Sequence, residues 1–357
     1  MKKILFLATI LLVAINAKAQ KITVVDSDGN GIHLVTVLGE DGNMIGVTDL
    51  SGTIADVKGA KKVVLTHVAF KPQLVDVQSL PSGTVTMEDL DYSLAEVVVK
   101  PKPYAYVETF YRVYAFIGDS LRYFKAGIMP NAYDVEKKKV RAGSYSNSKG
   151  EFYLTEGISI TWAARAEELN AGLIHTDAAE SLKPGGKAAA KYFTTLTDEG
   201  GGKLRISNAE GTVGYIYEDK EQTRLTLDGA KAQIYRNKVL GQERVMKLRE
   251  KKDYEYQFVE VFNRNADGTS DITDFVMYSN HWEWNGGNGR RKLIIETYAT
   301  ERGYMDKKQF KEKKDELKKK YKTPMSLDQL DAYATSHGIP ALVPSLRKAA
   351  ERMPRKM

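Results

Sequence analysis

The run Tyr254-Glu255-Tyr256-Gln257-Phe258-Val259-Glu260-Val261-Phe262 decides the fold class. Tyr254, Tyr256, Phe258 and Phe262 recur at every second position, with Glu260 interrupting them, which is the alternation of a strand that buries one face. Val213, Tyr215 and Tyr217 repeat the alternation and predict a second strand with those three side chains on one side. Turn residues punctuate the region: Glu199-Gly200-Gly201-Gly202, Asp228-Gly229, Asp267-Gly268 and Asn285-Gly286-Gly287-Asn288-Gly289. From Tyr192 to Thr300 the pattern predicts a curved meander of six or more antiparallel strands, one face buried and one wet.

Working toward the N-terminus, Ala163, Ala164, Ala166, Glu167, Glu168 and Leu169 are good helix formers, and Pro184-Gly185-Gly186 stops them. One or two helices are expected over Thr161 to Leu182. Residues 140–160 read as strands around the loop Asn147-Ser148-Lys149-Gly150, and Tyr104 to Tyr123 is aromatic-rich with a turn at Asp119-Ser120. Pro101-Lys102-Pro103 is a linker, since two prolines in three residues resist both helix and central strand.

Lys21 to about Lys100 consists of short β-branched runs between turns such as Asp28-Gly29-Asn30-Gly31 and Asp41-Gly42-Asn43, the pattern of a small antiparallel sandwich. Three pieces carry a resemblance: Val25-Asp26 with Asp28-Gly29, then Gly46-Val47-Thr48-Asp49 with Gly52, then Val64-Leu65-Thr66-His67-Val68-Ala69-Phe70. Their order resembles the carboxypeptidase regulatory-like (transthyretin-like) domain, and Leu94-Ala95-Glu96-Val97-Val98-Val99 is similar to the segment that follows it in TonB-dependent receptors. The third piece departs from the usual Ser-x-x-Gly-Tyr, having His67, Ala69 and Phe70. The resemblance implies a non-catalytic β-sandwich acting as an adaptor, with no peptidase activity. Only 258 residues follow Val99, too few for a plug and a 22-stranded barrel.

Toward the C-terminus the pattern turns helical. Asp306 with Gln309 and Ser326 with Gln329 are capping boxes, Phe310, Leu317 and Tyr321 share a face, Gly338 fits a helix exit, and a short helix follows Pro344. At the other end, Lys2 and Lys3, the apolar stretch Ile4 to Ile15 and Ala17-Lys18-Ala19 have the order of a secretory signal cleaved before Gln20. That stretch falls short of the roughly 20 residues a membrane-spanning helix needs, and no transmembrane helix is expected elsewhere. The expected address is the periplasm or the inner side of the outer membrane. With no cysteine, disulfides and thiolate chemistry are excluded.

The formal charge of +7 is unevenly placed. Removing the signal's three lysines leaves 50 basic and 46 acidic residues, and from Glu301 onward the balance is 15 to 8. A nearly neutral body with a basic tail is not a general nucleic-acid binder. Several motifs are imitations. Asp26-x-Asp28-x-Asn30-Gly31 copies half an EF-hand loop, but Val37 stands where the glutamate belongs; Asn263-x-Asn265-x-Asp267-Gly268 lacks flanking helices. The glycine runs near Lys187 and Lys203 lack phosphate-loop spacing, and Ser146-x-x-Lys149 and Ser345-x-x-Lys348 lack their partner motifs. His33, His67, His175, His281 and His337 are scattered singly. No catalytic, metal or cofactor site is expected. His281-Trp282-Glu283-Trp284 is the local cluster most able to contact a ligand, where the tryptophans either stack on a sugar or cover a core edge. The 16-residue run Lys307 to Lys322 attracts phosphate or anionic headgroups, or is a solvated helix face.

The sequence thus predicts a mainly β chain with α: a signal (1–19), a transthyretin-like sandwich (20–100), a β-rich α+β domain (101–300) and a basic helical tail (301–357). Its expected role is a non-enzymatic adaptor for an envelope protein or outer-membrane component. A half-barrel carrier of a lipid or other hydrophobic ligand is the alternative, and a hydrolase without recognisable motif a further one.

Overall fold

A computed structural model describes residues 20–80, 82–92, 102–137, 139–140, 149–155, 171, 179, 182–183, 194–232, 234–239, 242–247, 254–265, 268, 270, 272–286 and 289–353. The predicted signal over residues 1–19, Leu94–Val99 and most of the helical stretch predicted over Thr161–Leu182 lie outside these residues.

Seven short strands form the N-terminal unit: β1 (Ile22–Val25), β2 (Thr36–Gly39), β3 (Met44–Val47), β4 (Thr53–Ile54), β5 (Lys62–His67), β6 (Phe70–Asp76) and β7 (Thr84–Thr86). They make two small sheets, ordered β4-β1-β7 and β3-β2-β5-β6. The alternating side chains Ile22 and Val24 of β1, Val37 of β2, Val63 and Leu65 of β5 and Val75 of β6 meet in one shared core. The predicted strand over His33–Leu38 begins only at Thr36, because Leu34 takes a left-handed conformation (φ 65°) and breaks the extended run. The Asp26 stretch is a turn, as its residues suggested: the amides of Asp28 and Asn30 donate to Asp26 Oδ1 at 3.1 and 2.8 Å.

The second unit is one large sheet. Its strands are β8 (Tyr104–Ile117), β9 (Ser120–Asp134), β10 (Lys139–Val140), β11 (Lys149–Thr155), β12 (Thr195–Asp198), β13 (Lys203–Asn208), β14 (Gly211–Glu218) and β15 (Gln222–Asp228), followed, after a separate hairpin of β16 (Ile234–Val239) and β17 (Gln242–Lys247), by β18 (Tyr254–Asn263), β19 (Phe275–Gly286) and β20 (Gly289–Met305). The order β10-β9-β8-β20-β19-β18-β15-β14-β13-β12 is antiparallel throughout, with β11 pairing β9. The predicted meander is therefore present, but it is wider than Tyr192–Thr300, since Tyr104–Asp134 joins it through β20. β20 continues to Met305 before the first helix begins.

One expectation is corrected. Val213, Tyr215 and Tyr217 do not share a face. The register of β13 with β14 shifts between Ile206 and Ser207, leaving Val213 as an extra residue, and Val213 and Ile216 enter the core while Tyr215 and Tyr217 take the opposite side. A bulge of one residue flips every side chain beyond it. Tyr256, Phe258 and Phe262 do share the core face, and Glu260 is buried among them.

Helices α1 (Lys307–Lys320), α2 (Leu327–Ser336) and α3 (Pro344–Glu351) close the chain. Both predicted capping boxes form: Gln309 N donates to Asp306 Oδ1 and Gln329 N to Ser326 Oγ, with each glutamine reaching back to its cap amide. Gly338 leaves α2 at φ 75°.

The sheet is covered on both faces, and β8 is buried along Ala105–Phe116. Its odd positions, such as Val107, Tyr111 and Val113, join a core with Tyr256, Phe258, Trp282 and Leu293, here termed the inner face. Its even positions, Phe110, Tyr114 and Phe116, meet Leu34, Leu38 and Val64 of the N-terminal unit together with Leu330, Leu342 and Leu346 of the helices, here the outer face.

Candidate functional site

The N-terminal unit is fastened to the sheet's outer face at discrete polar points. Asp119, in the β8–β9 turn, accepts from Lys292 Nζ at 3.0 Å and Lys58 Nζ at 2.6 Å, and its carbonyl accepts from Met44 N at 2.7 Å. Although burial works against it, these two ammonium groups hold the Asp119 carboxyl below its ordinary value. The Tyr92 hydroxyl donates to the carbonyl of Ala299 in β20.

Where the N-terminal unit's Asp26 turn overhangs β14, β15 and β18, a cleft of about 210 Å³ opens. Its walls carry Asp26, Asp28 and Asp89 from one side and Tyr217, Asp219 and Arg224 from the other. The two tight turns that fold these segments, Asp26–Asn30 and Asp219–Gln222, bring the carboxylates here: Asp219 Oδ1 accepts the amides of Glu221 and Gln222, both at 2.7 Å. Arg224 is the cleft's cation. It lies 3.4 Å from Asp26 Oδ2 and 4.0 Å from Asp89 Oδ1, and its guanidinium sits over the rings of Tyr217 (4.8 Å) and Phe70 (5.2 Å). Four lining carboxylates against one lining guanidinium make the cleft acidic, with Lys203 at its margin, 5.8 Å from the Tyr217 ring. Partial burial raises the Asp89 carboxyl; Arg224 pulls it down, while Asp26, Asp28 and Asp219 push it further up. The Asp89 side chain is 63% exposed, so solvent softens this effect. Burial likewise pushes the Tyr217 hydroxyl up to about 12. The chemistry of such a cleft is the capture of a positively charged group, with Tyr217 as an aromatic wall.

The structure separates the residues of the predicted cluster. Trp282 and Trp284 point to the inner face, 3% and 5% exposed, with the Trp282 ring 4.3 Å from that of Tyr256. They cover the core. His281 points to the outer face, because neighbours on a strand alternate sides. There it meets residues that sequence spacing kept far apart. His33 and His67 of the N-terminal unit and His281 of β19 are all buried at the junction. Burial first, and then nearby cations and each other, hold their imidazoles neutral: His33 falls to about 4, with Gln257 and Asp49 opposing and Lys231 assisting; His67 falls to about 3, beside Arg224 and His33; His281 falls to about 3, beside Lys292, Arg290 and His33. The Ala69 amide donates to His67 Nδ1 at 3.1 Å, which puts the His67 proton on Nε2. Among the described residues no group of three or more His, Asp or Glu is placed to hold a metal ion. His337 lies against Tyr333 at the end of α2, at 4.3 Å between rings, and His175 is outside the described residues. Among those residues no helix is long and apolar enough to cross a membrane.

The acidic cleft was not anticipated. Its only trace in the sequence was the half EF-hand stretch, which contributes Asp26 and Asp28; Asp89, Asp219 and Arg224 come from turns and strands scattered through the chain. Comparison with protein-family models finds no match, and a search of curated proteins finds none either.

Proposed function

We propose that this chain is an exported, non-enzymatic binding protein of the cell envelope, and that its acidic cleft receives a lysine or arginine side chain of an envelope partner. The observation that carries this reading is the convergence of Asp26, Asp28, Asp89 and Asp219 on a 210 Å³ opening between two folded units, with an aromatic wall beside it. The volume suits one amino-acid side chain better than a drug-sized ligand, whose pockets span roughly 300–1,000 Å³. The resemblance of the N-terminal unit to a carboxypeptidase regulatory-like adaptor fits this role, and the two-sheet arrangement is compatible with it. The carrier alternative receives less support, because Trp282, Trp284 and Tyr256 fill the inner face with their own rings.

The test is site-specific photo-crosslinking in the envelope with the crosslinker at position 219. A discrete product with an envelope protein, suppressed by Asp28→Asn with Asp89→Asn, is the expected outcome. A product that survives the double substitution, or that forms equally from position 210 in the turn preceding β14, refutes the reading.

A further inference from the structure

The first of the C-terminal helices sorts its charges in a way its sequence conceals. Lys307, Lys311, Lys314 and Lys318 follow one another at steps of four, three and four residues, which places them on one row of the helix surface. Glu312, Asp315 and Glu316, which interrupt the basic run in sequence, fall on neighbouring rows. Lys308 is met by Glu312 at 3.8 Å and Lys313 by Glu301 at 2.8 Å, but among the described residues no carboxylate pairs with a lysine of the row. Lys307, Lys311 and Lys318 are exposed and Lys314 is half-buried. The helix cannot turn this row away, since the stripe beside it is fixed: Leu317 is 3% exposed and Phe310 packs 6.1 Å from Tyr106.

A further cation joins the row from the sheet. At Gly150 the backbone of β11 comes against Tyr321 and Met325, with φ 61° and a Met325 N to Gly150 O bond of 3.2 Å; a Cβ there would come within 2.7 Å of Met325 Sδ. This close approach brings Lys149 beside the helix, and burial first, then Lys314 and Lys318, lower its ammonium below the ordinary value. Lys102 reaches the N-terminal turn, donating to Gln309 Oε1 at 3.0 Å. Like charges at i, i+4 weaken a helix, so the row costs folding stability.

We infer that the lysine row of α1 is a docking surface for a bilayer carrying anionic lipid headgroups. Three observations favour a fluid anionic surface over a defined acidic protein or a nucleic acid. Residues 306–322 contain nine lysines and no arginine, and lysine is a point charge tolerant of geometry, whereas arginine forks suit fixed carboxylates and phosphates. The helix's aromatic residues, Phe310 and Tyr321, border the row but are half-buried against the sheet, so no exposed platform for base stacking accompanies it. Residues 20–300 hold 35 basic and 38 acidic side chains, so the molecule is electrically lopsided and its basic end turns toward a negative surface. The surface shares no residue with the acidic cleft: α1 meets Tyr106 of β8 and Glu301 of β20, whereas the cleft is lined from β14, β15, β18 and β19.

The test is vesicle co-sedimentation with the processed chain recovered after export, using phosphatidylcholine vesicles with and without about a third phosphatidylglycerol. Each lysine near such a surface adds about fivefold in binding, so the row as a whole exceeds a hundredfold. At least tenfold preference for the anionic vesicles is expected, lost as salt rises toward about 0.5 M. It should disappear on joint Lys307→Gln, Lys311→Gln, Lys314→Gln and Lys318→Gln substitution, and persist when Lys21, Lys61, Lys62 and Lys220 are changed instead. The row variant should melt no lower than the parent, since it removes like-charge crowding, and this separates lost binding from lost folding. Equal sedimentation with both vesicles, equal loss in both quadruple variants, or tighter binding to a soluble polyglutamate than to the vesicles would overturn the inference. None of these readouts involves position 219, so crosslinking at the cleft stands or falls separately.

Discussion

The two faces of the large sheet are buried to a similar degree but are built from different material. On the inner face the strands contribute aromatic rings that pack on one another, and its polar groups bond within the sheet: Tyr256 and Tyr278 hydroxyls at 3.0 Å, Asn280 Nδ2 to Tyr278 at 3.2 Å, Asn131 Nδ2 to Thr109 at 3.2 Å. On the outer face the same strands meet two distant parts of the chain. There Arg112 donates to the carbonyl of Pro340 at 2.8 Å and stands 4.0 Å from Glu296 and 3.8 Å from Asp331, and three imidazoles are enclosed. The inner face is held by shape and apolar area. The outer face adds to its apolar contacts ion pairs and three imidazoles that burial keeps neutral.

Acid should separate the two faces most sharply. A histidine whose pKa is lowered on folding favours the folded state above its unfolded value near 6.5, and that stability is lost as pH falls toward the folded value. His33, His67 and His281, at about 4, 3 and 3, all behave this way. At pH 4.5 each contributes a loss of about 3 kcal/mol, so together they remove a large share of an ordinary total stability of about 5–15 kcal/mol. Glu283 and Glu296, raised by burial, act in the opposite sense and recover part of this near pH 4–5. Denaturant unfolding at pH 7.5 and 4.5 checks the balance. Stability equal at the two pH values would remove the histidines from any role in holding the outer face.

A cavity in the inner face should cost less and be independent of pH. Trp282→Ala removes a ring stacked on Tyr256 and is expected to destabilise by about 3–5 kcal/mol at either pH. A loss that grows with acid would mean that the faces are coupled through β19. The smallest effect belongs at the margin of both: Asp306→Ala removes the oxygen that accepts from Gln309 N at 2.9 Å and should cost about 1 kcal/mol by thermal melting. A cost above about 2 kcal/mol would show that the cap also anchors the end of β20.

The same contrast explains what the sequence disclosed. Tyr256, Phe258 and Phe262 announced the inner face because period two is a property of one strand and needs no knowledge of its neighbours. The capping boxes at Asp306 and Ser326 were legible for the same reason, since both partners lie within four residues. Val213, Tyr215 and Tyr217 misled because a bulge depends on the pairing strand, Ile206–Ser207, which periodicity does not see. The histidine junction and the acidic cleft were hidden for a stronger reason: Asp26 meets Arg224, and His33 neighbours His281, only after β15 and β19 have been placed in the sheet. Half of the Asp26–Asn30 turn's chemistry, its Asx hydrogen bonds, was readable; its membership of a cleft was not.

The position of β20 has a consequence for the order of events in folding. Tyr104 lies opposite Met305 and Ile117 opposite Arg291, so the strand that joins the first hairpin of the sheet to its remaining meander is supplied from late in the chain. Until it arrives, the β8–β9 hairpin and the β12–β19 meander are separate bodies, each presenting an unpaired edge of backbone donors and acceptors. Closure requires a search across nearly the whole sheet, a topology that folds slowly and exposes sticky intermediates on the way. For a chain that emerges N-terminus first, the β8 edge would spend most of the time waiting for its partner, and a chaperone that shelters one open strand edge would serve it better than one that merely prevents collapse.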